Sequence, residues 1–253
     1  MDGERVPDSF ASHVLVVSES VDTNDEIGVH NDVLSAILDR SDTIDLWADA
    51  DLVGDEYPDV AASLREAFER IEKGRYRGAL PDCRSALDAL LATEGVYRFV
   101  GLERLDARVD DQLLARYVPD HSKFRIDATA AEGLDAELRR TLADAEAGIL
   151  PARTLAEWSS DGIQYELRPP SLCTDRSCWG LTGVTAVRLD DADRRIELNW
   201  AEPSGVLQRA ADLLFPDSPR AFAFDDEAAY RDAADAFELI AKRLEIPVER
   251  ASA

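Results

Sequence analysis

Positive charge is what this 253-residue chain has least of: 28 Lys and Arg residues stand against 52 Asp and Glu, a formal net charge of -24. Lysine is almost missing, with Lys73, Lys123 and Lys242 the whole complement beside 25 arginines. That balance leaves little material for the clustered positive face that nucleic-acid phosphates or an anionic membrane require, which sets such partners aside and leaves room only for a small basic patch. Long apolar runs are missing too. No stretch approaches the ~20 residues that span a bilayer, and MDGERVPDSFAS lacks the basic start and apolar middle of a secretion signal, so the expectation is a cytoplasmic protein without membrane insertion. Cysteine is scarce and odd in number (Cys83, Cys173 and Cys178), which argues against a disulfide framework and suits a reducing compartment. Neither G-x-G-x-x-G nor G-x-x-x-x-G-K-S/T occurs, and no serine sits in a G-x-S-x-G elbow, which leaves dinucleotide, nucleotide and acyl-transfer chemistry without a signature.

Aspartate is what the chain has in excess, with 32 residues against 20 glutamates. Hydrophobic residues make up 45%, enough for a proper core, so the acidity is not that of a disordered chain. At molar salt the Debye length falls to about 3 Å, so crowded carboxylates repel weakly, whereas long lysine stems expose apolar area. Lysine depletion paired with aspartate excess resembles the cytosolic proteins of salt-in halophiles such as the haloarchaea, and implies adaptation to concentrated salt. An acidic mesophilic protein, or a genome favouring arginine codons, is the alternative.

The length allows one large domain or two small ones. His13 to Glu19 reads as a strand, VDTNDE as a polar turn, Asn31 to Arg40 as a short helix with Asn31 as its cap, and Thr43 to Ala48 as a second strand. That order fits a βαβ unit, with antiparallel pairing the alternative. Between Tyr57 and Leu91, Ala61, Leu64, Phe68 and Ile71 repeat at helical spacing. The period breaks at KGRYRG and resumes in Leu80, Cys83, Leu87, Leu90 and Leu91, which predicts an αα-hairpin. Further strands are expected over Val96–Leu102 and Lys123–Ala128, a short helix over Asp110–Tyr117, and an amphipathic helix over Glu132–Ala147 closed by Gly148. Leu150–Trp158 reads as another helical turn or two.

Composition shifts near Ser159. Beyond it, alternation marks strands around Ile163–Leu167, Val184–Leu189 and Ile196–Trp200, with DDADRR as the hairpin turn between the last two. A helix is expected over Gly205–Leu214 and a strand at AFAF (Ala221 to Phe224). A terminal helix over Asp225–Leu244, capped by Asp225 or Asp226, puts Tyr230, Ala233, Ala234, Phe237, Ile240 and Leu244 on one face. The fold class is therefore α+β, with mixed or antiparallel sheets covered by amphipathic helices around a central αα-hairpin. The domains expected are an α/β region over residues 1–158 and a smaller module over 159–253.

Two local patterns carry resemblances. Residues 61–91 (A-x-x-L, then G-x-Y-x-x-A-L-x-x-C-x-x-A-L) resemble a tetratricopeptide-type unit or the helical pair of HEPN-type domains. A lone unit makes no solenoid, and Arg84 is followed by SALDALLATEG without the histidine of HEPN ribonucleases, so the likeness implies no ribonuclease activity. Residues 180–244, where a hairpin and F-x-F-D precede a long helix, resemble the end of pleckstrin-homology-like domains.

Candidate chemistry is thin. Asp49 and Asp51 form a D-x-D step at the end of a strand with Asp55 close behind, a set that could hold Mg²⁺ for phosphoryl or glycosyl transfer. In a chain this rich in aspartate, about four such steps are expected by chance. Cys173 and Cys178 flank TDRS in a loop; as zinc ligands they need partners such as Cys83 and His121 from elsewhere, a reversible disulfide is the second option, and two ordinary loop residues the third. His13, His30 and His121 are scattered, and Arg188, Arg194 and Arg195 make a modest basic spot that a solvated turn explains. The reading is a non-catalytic cytoplasmic module that binds a protein partner or packs into an assembly, without a cofactor. The alternative is a Mg-dependent enzyme acting on a phosphorylated small molecule through Asp49, Asp51 and Asp55. A third option, a DNA-associated regulatory protein, requires a local arginine cluster in the fold and steep salt dependence of binding.

Overall fold

The sequence TIDLWA sets the pattern of the first half: Ile44, Leu46 and Ala48 are buried on one side of strand β2 (Thr43–Ala48), and Asp45 and Trp47 project from the other. The computed structural model describes residues 10–93, 101–121, 123–201 and 217–251. It is an α+β structure whose strands pair mostly antiparallel, with six α-helices among the described residues. Two compact units divide it: Met1–Leu15 with Thr23–Leu142, and Val16–Asp22 with Ala143–Ala253. The composition shift at Ser159 therefore falls inside a strand of the second unit. No described helix is long and apolar enough to cross a membrane.

In the first unit the strands lie in the order β3-β4-β2-β5-β6-β7-β1, where β1 is His13–Val17, β3 Glu69–Glu72, β4 Arg75–Ala79, β5 Leu102–Val109, β6 Gln112–Val118 and β7 Lys123–Ile126. Successive antiparallel pairings along β2, β5, β6, β7 and β1 leave β1 and β2 pointing the same way with three strands between them. The expected strand–helix–strand order is thus a crossover, but not one between adjacent strands. Helix α1 (Thr23–Leu38) makes that crossing and starts earlier than expected. TNDE is its first turn, where Asp25 and Glu26 complement the helix dipole. Its buried side, His30, Val33, Leu34, Ile37 and Leu38, faces the sheet, with the His30 ring 5.2 Å from Tyr117 and 6.1 Å from Phe124.

The expected αα-hairpin is interrupted. Helices α2 (Ala50–Glu56) and α3 (Pro58–Ala67) are followed by the β3–β4 hairpin, and only then by α4 (Arg84–Leu91). The helical period ends at Phe68, whose backbone is extended, and Ile71 projects to solvent at 44% exposure. Gly74 makes the turn at φ +74°, a conformation in which a Cβ is strained. Strand β6 replaces the helix expected over Asp110–Tyr117. Asp110 and Asp111 take φ 47° and 64° in a two-residue turn between Val109 and Gln112, and the cross-strand partners of β5 outweigh the helix propensity of Leu-Leu-Ala-Arg. Helix α5 (Leu134–Thr141) ends short of the expected boundary at Ala147, with Asp144 and Glu146 in left-handed conformations.

The second unit holds β8 (Ala147–Pro151), β9 (Ala156–Ser160), β10 (Ile163–Arg168), β11 (Ser171–Cys173), β12 (Cys178–Gly180), β13 (Val184–Asp190), β14 (Arg195–Trp200), β15 (Ala221–Ala223), α6 (Glu227–Leu244) and β16 (Val248–Arg250). One sheet has the order β12-β11-β10-β9 and another β15-β14-β13-β16, with β16 parallel to β13. Leu150–Trp158, read as helical, is strand and loop. Trp158 is buried against Tyr165, Phe222, Phe224 and Phe237, with ring centroids 5.2–6.0 Å away. Helix α6 has the expected buried face and is capped by Asp226, whose carboxylate accepts from the Ala228 and Ala229 amides. Gly148 closes no helix. It lies in β8, where a Cβ would collide with the Arg243 carbonyl near the end of α6. The strand expected over Val96–Leu102, apart from Gly101 and Leu102, and the helix expected over Gly205–Leu214 lie outside the described residues.

Candidate anion-binding face

Arginine recurs at alternate positions in the strands of the first unit, and the sheet order turns that local alternation into one surface. Arg75 and Arg77 on β4, Arg104 and Arg108 on β5, Arg116 on β6, and Lys123 and Arg125 on β7 share the face of Asp45 and Trp47. The registers Arg77↔Asp45↔Asp106↔Arg116↔Arg125, Arg75↔Trp47↔Arg104 and Val118↔Lys123 place them there. A quarter of the chain's 28 basic residues therefore lies on this one face.

Two aspartates organise it. Asp45 is fully buried; Arg77 grips it with Nε at 2.8 Å and Nη2 at 3.0 Å, Arg108 Nε reaches it at 3.2 Å, and Arg75 stands at 3.9 Å. Asp106, equally buried, accepts from Arg116 Nε at 2.8 Å and Nη2 at 2.7 Å, and lies 3.3 Å from Arg104. Paired fork contacts of this kind fix guanidinium orientation as well as adding energy. Burial pushes the Asp45 carboxyl upward, but the hydrogen bonds and charge of Arg77, with Arg108 and Arg75, outweigh it and hold the group below the ordinary carboxylate range. The same contacts raise Arg77. Burial lowers Arg104, and the positive charges of Arg116 and Arg75 add to that effect against the attraction of Asp106.

Trp47 lies between β4 and β5 with Arg104 3.4 Å from its ring centroid and Arg75 at 5.0 Å. Each such contact is worth about 0.5–2 kcal/mol, more when desolvated. The Nε atoms of both arginines are buried without a hydrogen bond. Solvent still reaches the cluster: Arg75, Arg77, Arg104 and Arg108 keep 29%, 47%, 28% and 23% of their side-chain surface exposed. Carboxylates rim it. Glu69 is opposite Arg77, Glu72 lies 3.7 Å from Arg75, and Asp111 adds its charge near Arg77.

The residues singled out in the sequence are placed elsewhere. Asp49 caps α2, accepting from the Asp51 and Leu52 amides at 3.1 Å; Asp51 pairs with Arg65 at 2.9 Å, and Asp55 is exposed on α2. Among the described residues no group of three His, Cys, Asp or Glu side chains could hold a metal ion. Cys173 and Cys178 are not ordinary loop residues. They face each other across β11 and β12 and form a disulfide with Cα atoms 4.1 Å apart, so in this state neither sulfur is a thiolate ligand. Cys83 is the odd cysteine, buried, with its thiol pushed up to about 11 by burial. His13 contacts Ser12 and lies 3.8 Å from Asp135, and His30 is buried beside Tyr117.

Arginine alternation was the available signal for the basic face: R-Y-R in β4 and R-L-D-A-R in β5. The net charge concealed it, because an average over the chain says nothing of which face the few cations share. Comparison with protein-family models, with curated proteins and with solved structures matched none.

Proposed function

We propose that the protein is a non-catalytic interaction module whose contact surface is the arginine face of the first unit, working in the cytoplasm of a halophilic cell. The observation that carries the reading is the gathering of Arg75, Arg77, Arg104 and Arg108 around Trp47 and two buried aspartates on a solvent-reached sheet face, in a chain of net charge -24. Such charges are expensive to concentrate, since they repel one another and draw two carboxylates out of water. A purely structural sheet face has no need of them. The halophilic part rests on composition, through the 25 arginines against three lysines and the aspartate excess, and the cytoplasmic part on the missing apolar runs, with the Cys173–Cys178 disulfide counting against it.

The test is a photo-crosslinking residue placed at position 123 on the face, where Lys123 is exposed and holds no buried carboxylate, with position 176 in the second unit as control, in cells of a salt-in host. Adducts specific to position 123 are expected. Equal adducts at both positions, together with turnover of any compound in a substrate panel by the purified chain, would sink the reading.

A further inference from the structure

The arginine cluster is rich in donors and poor in acceptors. Five guanidinium groups carry about 25 N–H donors, and the two aspartates between them offer roughly eight lone-pair sites. Five guanidinium groups (Arg75, Arg77, Arg104, Arg108 and Arg116) surround the two buried carboxylates of Asp45 and Asp106, Glu69, Glu72 and Asp111 lie at the rim, and Lys123 adds an exposed amine on the same face. The cations come from neighbouring strands spaced about 4.8 Å apart, so they spread over more than 10 Å of a pleated surface. That span answers several anionic groups at once.

Two polymers could supply them, an acidic protein segment or a nucleic acid, and two observations separate the two. Sheet surfaces that hold single strands do so by stacking bases on exposed aromatic rings. Here the one tryptophan of the face is flanked on both neighbouring strands by guanidinium groups, at 3.4 and 5.0 Å, so its surface is already taken. The rim is acidic, with Glu69, Glu72 and Asp111 beside the arginines, so a long phosphate backbone leaving the patch meets carboxylates, while a short acidic segment can end within it. We propose that this face docks a carboxylate-rich segment of a partner protein. The proposal rests on the interaction-module reading and names its occupant. Fork contacts of guanidinium with carboxylate act at contact distance, so they survive screening that removes longer-range attraction.

The experiment is calorimetric titration of the full chain with a short poly-L-glutamate oligomer, with single-stranded oligothymidylate of the same length and with inorganic phosphate, in about 0.1 M and about 2 M KCl. Two variants accompany it: the double substitution Arg75→Gln/Arg104→Gln, and Lys123→Glu, which touches no buried ion pair and reports on the face if the first variant folds poorly. Poly-L-glutamate is expected to bind about tenfold or more tighter than oligothymidylate, with a loss of about tenfold in the double variant and a few-fold in Lys123→Glu. Tighter binding of oligothymidylate would overturn the occupant while leaving the interaction face standing. Inorganic phosphate binding as well as either polymer would overturn it in favour of a small anion. Self-association that the double variant abolishes would make a second copy the occupant and overturn it too. If no ligand binds the wild-type chain better than both variants, this proposal and the module reading fail together.

Discussion

Asp45 and Asp106 are direct cross-strand partners on β2 and β5, both fully buried, and each is gripped by its own arginine fork, Asp45 by Arg77 and Asp106 by Arg116. Like charges directly opposite one another destabilise a sheet, so this pair is tolerable only because cations flank it on both sides. The arrangement alternates across the sheet as cation, anion, anion, cation.

Removing one member should therefore cost far more than removing an exposed ion pair. Asp45→Ala leaves Arg77, Arg108 and Arg75 crowded without their counter-charge, and a loss of about 3–5 kcal/mol is expected. Asp49→Ala, which removes a helix cap, should cost about 1 kcal/mol. Urea denaturation of the two variants beside the wild type checks the ranking, and equal losses would show that the buried carboxylate has no special weight.

The pH dependence follows from the direction of the Asp45 shift. Its folded pKa lies below the unfolded value of about 3.9, so its stabilisation is fully present above that value and is lost as pH falls through the folded pKa. Stability of the wild type should therefore fall in the acid range below about pH 4, and the difference between wild type and Asp45→Asn should shrink there. Chemical denaturation at intervals from about pH 5 to about pH 2 reads this directly. A difference constant over that range would contradict the shift.

Much of the fold was legible where period and breaker agree. TIDLWA alternates cleanly, DDADRR makes the turn between β13 and β14, and α6 shows its buried face and its Asp226 cap in the sequence. The β3–β4 hairpin was not legible, because Ala61, Leu64, Phe68 and Ile71 fit a helix whose end only tertiary pairing decides. Strand β4 is held by β2, with Ile44 opposite Gly78, a residue where a Cβ would meet Cys83 and Phe68. Such long-range contacts leave no local trace. The site was half legible for the same reason: each strand shows its alternate arginines, but only the order β4-β2-β5 brings Arg75 and Arg104 to either side of Trp47.

The disulfide has a simple labelling test. Iodoacetamide should modify no cysteine in the native oxidised chain, since Cys173 and Cys178 are joined and Cys83 is buried with its thiol pushed up to about 11. Gentle reduction should expose Cys173 and Cys178, and denaturation Cys83 as well, as mass spectrometry would count. The bridge closes a short loop, with the cysteines 5 residues apart, so its loss should cost about 2 kcal/mol, within the second unit. Labelling of Cys173 before reduction would contradict the pairing.

Gly148 tests the packing of the second unit. A Cβ there would overlap the backbone of Arg243, a contact that no rotamer change can relieve. Gly148→Ala should therefore destabilise by about 1–3 kcal/mol despite the entropy that alanine removes from the unfolded chain. A thermal midpoint equal to that of the wild type would mean that β8 and the end of α6 move apart at little cost.

Salt separates two kinds of electrostatics in this chain. The surplus of carboxylates repels itself through solvent, and raising KCl from about 0.1 M to about 2 M shortens the screening length from about 10 Å to below 3 Å, so that repulsion is nearly abolished. The buried contacts of Asp45 and Asp106 with their arginines, at 2.7–3.2 Å, are shielded from ions and should hardly change. The thermal midpoint of the wild type is therefore expected to climb over that range, by about 10 °C or more, and the stability difference between wild type and Asp45→Ala to stay nearly constant. A midpoint that falls with salt would remove the halophilic reading. A salt-dependent difference between the two proteins would mean that water and ions reach the aspartates at the centre of the arginine face.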